Sequence, residues 1–425
     1  QRVPKESTTQ YHQPNTKMAC TTPQPPSPPI SLPPRITTTT KCFLSTTSPS
    51  SFSMALHQKK LQEERITKTC TVFSLAWSPD DRYLAGCSSF GIICVWDVIP
   101  PPDNDIIADN TNSNDAPSSS REKKRKRREK GGINEPGDDP VLKLSASKKA
   151  LYHLQFCTVN DVIYIMAAGY DGILIYRWSD VISFEETASP PSPVKRLTPY
   201  PSPREADVEI NAVSFDPSRN VVYGAAGDLF GCYQWDFESG KLLRTLRGGV
   251  HEEYLHCVVV LDDGSCVLTG GEDGKLCLWE ADSGNLIEMY NIRSILKPPK
   301  SGVSPKITDK KYHSWVSSIA TSANSKWAVI GGGISPPFQK DFNGYLLLLH
   351  LPSRTFSSST MTRETIQHVA YDCTHDKIIS LGNENVISYW SCFDLDDASG
   401  GNRAWCTTPS GYGVAVNETS KVTAV

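Results

Sequence analysis

The sequence predicts an all-β fold, a seven-bladed β-propeller whose last blade is incomplete. Three observations predict it. One grammar recurs along the chain: an alternating strand, a polar turn, a short strand of small and apolar residues, a Gly-containing tight turn, and a strand ending in Trp. Its period is that of a propeller blade, with 44 residues between Trp235 and Trp279. A Ser-Gly turn after two of the copies introduces a further strand, DFESGKLLRTL and EADSGNLIEMY, which makes four strands per unit. A single four-stranded unit cannot bury both of its faces, so such units stack on one another around an axis.

Taken in order, the first copy is TVFSLAWSPDDRYLAGCSSFGIICVWD (71–97), with SPDD as its polar turn. The second, ALYHLQFCTVNDVIYIMAAGYDGILIYRW (150–178), is weaker. The third (210–246) and fourth (255–290) carry the whole pattern, with DPSR and LDDG as their polar turns. A degenerate fifth copy, WVSSIATSANSKWAVIGGG, begins at Trp315 and resumes at GYLLLLHL after an insertion. The sixth is IQHVAYDCTHDKIISLGNENVISYW (366–390), and GYGVAVNETSKVTAV (411–425) supplies two strands of a seventh. Residues 56–65, LHQKKLQEER, have helix-forming composition and predict a short helix before the first blade.

Residues 1–53 are rich in Pro, Ser and Thr with Glu6 as the one acid, which predicts a disordered segment. Their composition suits an organelle transit peptide or an extraneous stretch before a start at Met54. The propeller then occupies 54–425, with disordered insertions expected at about 100–142, 183–206, 297–311 and 335–343, since a blade tolerates extra residues in its connections.

Of 425 residues, 38% are hydrophobic and nine are Trp, enough for a substantial core. No apolar run approaches the roughly 18 to 20 residues that cross a bilayer as a helix, which argues against a membrane role. The 13 cysteines are scattered, without a CxxC pair or a Cys/His cluster, so neither a disulfide framework nor a structural zinc site fits. They read as reduced, mostly buried thiols of the cytosol or nucleus. The net charge of −3 hides a basic run, Arg121–Lys130; without it the 43 basic and 46 acidic residues fall to 35 and 44. So acidic a body is a poor nonspecific partner for nucleic acid, whose binding depends on neutralising phosphates. Contact with RNA is expected through partners.

In the fourth copy His251, Thr269, Asp273 and Trp279 stand at places a blade uses for a buried hydrogen-bonded set. The same residue types suit a catalytic His/Asp/Thr arrangement, but each sits where the repeat itself requires it. The first copy has Trp96 with Phe90 at the place of the turn Asp, and the second keeps Asp171 and Gly172 with Trp178 displaced by one residue. His251, His256 and Cys257 suggest a metal by proximity, yet strand neighbours 256 and 257 point to opposite faces. Gly331–Gly333 lacks the following Lys-Ser/Thr of a phosphate loop and reads as a tight turn or close strand packing. The Asn417-Glu418-Thr419 sequon matters only to a secreted chain. No nucleophile, base or cofactor loop forms a coherent arrangement, and no cofactor is expected.

Lys123, Lys124, Arg125, Lys126, Arg127 and Arg128 form a compact cationic segment suited to a nuclear import receptor. A solvated charged loop and an RNA-contacting loop are the alternatives. Ser189, Ser192, Thr198 and Ser202 each directly precede Pro as proline-directed phosphorylation candidates; Ser192-Pro193-Val194-Lys195 is the fullest match.

The repeats and the fourth-copy set resemble the WD-repeat family. Within it, LRTLRGGVHEEYLHCVVV (243–260), LTGGEDGKLCLWEADSG (268–284) and HSWVSSIATSANSKWAVIGGG (313–333) are similar to the family of THO complex subunit 6. The resemblance implies a non-catalytic interaction scaffold of the nuclear THO/TREX complex, which couples transcription to mRNA packaging and export. The implied partners are other THO subunits, with RNA reached through the complex and no small-molecule substrate. The long insertions and basic loop depart from that family's compact pattern. The alternative function is a substrate receptor of a cullin-based ubiquitin ligase. Its usual WDxR box is missing: Trp96-Asp97-Val98-Ile99, Trp235-Asp236-Phe237-Glu238 and Trp279-Glu280-Ala281-Asp282 all lack the Arg. A propeller hydrolase would need inward carboxylates or a metal set that no repeat supplies.

Overall fold

Runs of five to nine residues rich in Val, Ile, Leu and aromatics, punctuated by polar turns, pair locally because each hairpin closes with little loop entropy. A computed structural model describes residues 71–98, 140–184, 189–199, 208–227, 229–246, 249–296, 312–338, 341–383, 386–391, 395, 403–405, 412–416 and 423–424. These belong to one compact unit, Lys60–Val425. The segment 1–53 and the helix expected at 56–65 lie outside the described residues.

Among the described residues the strands form six four-stranded antiparallel sheets and one two-stranded sheet. Blade 1 holds β1 (Val72–Trp77), β2 (Tyr83–Ser88), β3 (Ile92–Asp97) and β4 (Leu142–Ser145). Blade 2 holds β5 (Leu151–Val159), β6 (Val162–Gly169), β7 (Gly172–Arg177), the short helix α1 (Trp178–Ile182) and β8 (Lys195–Leu197). Blade 3 is β9 (Ile210–Asp216), β10 (Val221–Ala226), β11 (Cys232–Asp236) and β12 (Leu242–Leu246). Blade 4 is β13 (Leu255–Val260), β14 (Cys266–Gly271), β15 (Lys275–Glu280) and β16 (Leu286–Asn291), followed by α2 (Ile292–Ile295). Blade 5 is β17 (His313–Thr321), β18 (Trp327–Phe338), β19 (Phe342–His350) and β20 (Thr355–Thr362). Blade 6 is β21 (Ile366–Asp372), β22 (Lys377–Gly382), β23 (Val386–Ser391) and β24 (Arg403–Trp405). The seventh sheet pairs β25 (Ala415–Val416) with β26 (Thr423–Ala424).

The first strand of each blade packs on the first strand of the next, and β25 touches both β21 and β1, which closes the ring. The incomplete seventh unit is thus where the repeat count places it. In such a blade the turn between second and third strands and the connection to the next blade emerge on one face, here called upper. First-to-second and third-to-fourth turns emerge on the lower face.

Two expectations about the insertions are corrected. Within 183–206, Lys195–Leu197 is not loop but β8, paired to β7 as Ile173 with Leu197 and Ile175 with Lys195. The alternation there is only three residues long, too short to read among prolines. At 335–343 the chain continues as strand through Phe338 and returns at Phe342, so blade 5 is the longest hairpin rather than a degenerate copy. The expected insertion at 100–142 ends where β4 begins, and 297–311 lies outside the described residues.

The core is a series of apolar slabs, each made by two adjacent blades. Leu144, Ile93, Ile165 and Tyr176 fill the slab between blades 1 and 2, and Leu276, Ile330, Tyr345 and Leu347 that between blades 4 and 5. Gly331–Gly333 lie in β18, packed closely rather than turning: a Cβ on Gly333 would stand 2.1 Å from the Trp315 ring.

A second device sets the angle between blades. All six complete blades carry a bulge near the start of the first strand, at Phe73, Tyr152, Asn211, His256, Ser317 and Gln367. Just after three of these bulges a side chain accepts a backbone N–H from the following blade. Leu154 donates to Ser74 Oγ at 3.2 Å, Val213 to His153 Nδ1 at 3.3 Å, and Val369 to Ser318 Oγ at 3.1 Å. Ser317, the bulged neighbour of Ser318, has a buried hydroxyl without a partner among the described residues.

The two adjacent serines therefore give opposite expectations. Ser318→Ala leaves the Val369 N–H unsatisfied and costs about 1–3 kcal/mol, whereas Ser317→Ala removes an unpaired hydroxyl and leaves stability unchanged or raised. Urea unfolding midpoints of the two variants check this contrast.

Candidate functional site

The best-connected polar cluster among the described residues belongs to blade 4, and it is built by the tight turn between β14 and β15. Gly274, with φ of +65°, lets that turn close and aims Asp273 inward. The Asp273 carboxylate accepts from the backbone N–H of Glu252 at 3.1 Å and of Lys275 at 3.0 Å. It also meets His251 Nδ1 at 3.0 Å. His251 Nε2 lies 2.9 Å from Thr269 Oγ1, and Trp279 Nε1 donates to the same oxygen at 2.8 Å. One donor direction satisfies every atom: Trp279 gives to Thr269, Thr269 to His251, and His251 to Asp273.

The order Thr–His–Asp is also that of a nucleophilic triad, so burial decides what it can do. Thr269 is fully buried and His251 is 6% exposed. The buried indole of Trp279 occupies one of the two lone pairs of the Thr269 hydroxyl, and full burial closes the other to a substrate. The arrangement is a closed chain of donors that pins the turn and the connection before β13. Burial pushes the Asp273 carboxyl up, but the His251 contact and the two backbone donors outweigh it and hold the group below its ordinary range.

The other sequence-selected residues are spread. His256 leaves the network and meets Glu272 at 2.6 Å, which outweighs burial and holds that carboxyl low; Cys257 Sγ donates instead to the Gly270 carbonyl. His251, His256 and Cys257 thus diverge. In blade 2, Asp171 accepts from Ser147 Oγ at 2.5 Å and pairs with Arg196 at 3.4 Å. Trp178 opens α1 and packs edge-on against Phe156 and Tyr83. Trp235 donates to the carbonyl of Thr198 at 3.2 Å. Ser189 and Ser192 are exposed and Thr198 is half-buried; Ser202, the cationic residues Lys123–Arg128 and the sequon at 417–419 lie outside the described residues. The eight described cysteines are free, and burial raises Cys157 and Cys277 to about 12.

One polar pair was missed from the sequence. In blade 6, Trp390 Nε1 donates to Ser380 Oγ at 2.8 Å, repeating the Thr269–Trp279 contact. The signal was present: both pairs are ten residues apart. It was hidden because blade 6 has no His or turn Asp at the other two places.

Six complete blades around an axis, with this His–Asp–Thr–Trp chain in one of them, make the protein a WD-repeat β-propeller. The pattern described as WD domain, G-beta repeat matches residues 60–97 and 240–280. Over most of its length the chain is similar to THO complex subunit 6. It is 27% identical to that of Arabidopsis thaliana over 361 residues, 80% of this chain and 83% of the relative. To that of Homo sapiens it is 25% identical over 323 residues, 75% and 76% of the two chains. A shorter similarity, 31% over 137 residues, links 32% of the chain to serine-threonine kinase receptor-associated protein of Homo sapiens, covering 35% of that protein.

Asp273→Ala removes the acceptor shared by His251 and the backbone N–H groups of Glu252 and Lys275 and lowers stability by about 1–3 kcal/mol, read from denaturant unfolding. Since Asp273 and Glu272 titrate lower in the folded chain than when unfolded, their contribution is fully present above the ordinary carboxylate range. It fades as pH falls through their folded pKa values. Asp273→Asn should flatten the acid side of the stability profile, measured as melting temperature against pH from 7 downward.

Proposed function

We propose that this propeller is a non-catalytic scaffold subunit of a nuclear THO assembly, docking other subunits and so serving the coupling of transcription to mRNA packaging and export. The observation that carries the reading is the similarity to THO complex subunit 6 across about four-fifths of the chain. The closed blade 4 network agrees with it, because this triad-like arrangement has no reachable nucleophile. An acidic body beside a single basic run also suits a subunit that meets RNA through its partners. Lys123–Arg128 is the import signal in this reading, and phosphate on Ser189, Ser192, Thr198 or Ser202 would regulate contacts.

Two measurements test the reading. Affinity purification of the tagged full chain from nuclease-treated nuclear extract, read by mass spectrometry, should recover other THO subunits. Recovery of a cullin with its adaptor and no THO subunit would replace it by the ligase-receptor function. Neutralising Lys123 to Arg128 with Gln should shift a fluorescent fusion from nucleus to cytoplasm, and unchanged nuclear accumulation would remove the run from the import role.

A further inference from the structure

The upper mouth of the ring is lined by aromatic rings and carboxylates that neither the blade 4 network nor the core uses. Bulges turn Phe73 and Tyr152 out of the strand alternation at the same place in neighbouring blades. Their rings meet at 5.4 Å, and the row continues on one side to Tyr412 at 5.6 Å and on the other to Tyr170 at 5.7 Å. Four rings thus form one arc from the seventh sheet across blade 1 to blade 2. A second pair, Phe230 and Tyr254, lies at 5.8 Å between blades 3 and 4. Tyr254 is 44% and Tyr412 37% exposed, large values for rings that the core could have taken in.

The charges around these rings decide what they would hold. Glu209 directly precedes β9, its carbonyl accepting from the Gly227 N–H at 2.9 Å, and its carboxylate hydrogen-bonds the Tyr152 phenol, which burial and the bonds to Tyr170 and Glu209 push up. Past Tyr254 the rim continues with Glu253 and Glu272, both facing His313 at 3.9 and 3.6 Å. The arc already accepts one cation: Lys149 Nζ stands 5.6 Å from the centre of the Tyr170 ring. Stacking rings alone would suit unpaired bases, but a phosphate backbone would then lie along Glu209, Glu253 and Glu272, which repel it. A guanidinium or ammonium gains from both features, through the ring faces and the carboxylates.

We propose that this upper mouth binds an extended arginine- or lysine-rich segment of a partner protein, with cationic side chains over Phe73 and Tyr152 and against Glu209. The inference concerns this chain alone and holds or fails independently of THO membership.

The test uses the full chain and a fluorescein-labelled peptide Gly-Arg-Gly-Arg-Gly-Arg-Gly-Arg-Gly, followed by fluorescence anisotropy. Saturable binding is expected. Phe73→Leu and Tyr152→Leu, which keep apolar bulk but remove the ring, should each weaken it at least fivefold, as should Glu209→Gln. Tyr152→Phe should retain the affinity, and the lower-face change Glu238→Gln should leave it unaltered. Near-UV circular dichroism matching that of the parent chain confirms that each variant is folded. Equal losses from Glu238→Gln and Glu209→Gln would reveal diffuse attraction to an acidic body and overturn the proposal. So would the absence of saturable binding, or a labelled oligouridine that binds and is released by the same variants.

Discussion

Everything in this molecule follows from the fact that a four-stranded blade is apolar on both faces. Each blade needs a neighbour on either side, and the core becomes a set of slabs between blades rather than a single interior. Apolar contact is not directional, so it does not fix how one blade is rotated against the next. At three junctions the bulge near the start of the inner strand supplies the direction. It frees the next side chain to receive a backbone N–H from the following blade, as Ser74, His153 and Ser318 do. His368 holds the same place in blade 6, where the follower is the two-stranded sheet. Its Nδ1 is buried without a partner among the described residues, and burial lowers its pKa to about 4, as it does for His153. Among the described residues the interlock is thus missing at the junction with the two-stranded sheet as well.

The lower rim adds a complementary set of ties. Lys195 donates to the carbonyls of Phe237 at 2.6 Å and Glu238 at 2.7 Å. Arg244 donates to the Asp282 carbonyl at 2.6 Å, and Tyr290 to that of Arg354 at 3.2 Å. In each case the fourth strand of one blade caps the third-to-fourth turn of the next. These turns are otherwise left with outward carbonyls, so one donor both satisfies a turn and fixes an interface. Arg219, pinned between Asp216 and Asp282 and reaching the Gly264 carbonyl, does the same between blades 3 and 4.

Much of this was legible in the sequence, because the blade repeat couples a period to a turn chemistry. Trp235, Trp279 and the turns DPSR and LDDG announce strands whose ends are set by residues that cannot extend them, and these strands form where expected. The four residues of the blade 4 network were legible for the same reason: their spacing is the blade's own geometry. What could not be read is what depends on non-local pairing. Lys195–Leu197 becomes a strand only because β7 offers an open edge, and nothing in SPVKRLTP encodes that edge. The close packing of Gly333 on Trp315 needs two strands in register, so the sequence alone left a turn and a packing contact equally open. Bulges are invisible for a related reason. They shift which face a residue meets without changing its identity, and so Phe73 and Tyr152 look like ordinary strand aromatics until the register is known.

The two faces consequently differ in how their charges are spent. On the lower face the cations Lys195, Arg219 and Arg244 are committed to carbonyls and carboxylates of adjacent blades, which makes that rim a structural belt. On the upper face the turns are held from within, by Asp273 in blade 4 and Asp171 in blade 2, and the outer contacts there, Glu272 with His256 and Arg196 with Asp171, stay within or beside the same turn. Rings and carboxylates accumulate there around the axis, where loops from successive blades converge. A scaffold needs such a division, since a face that holds the ring together cannot also rearrange around a partner without loosening it. The same repeat that closes the structure therefore separates the surface that maintains the ring from the surface available for recognition.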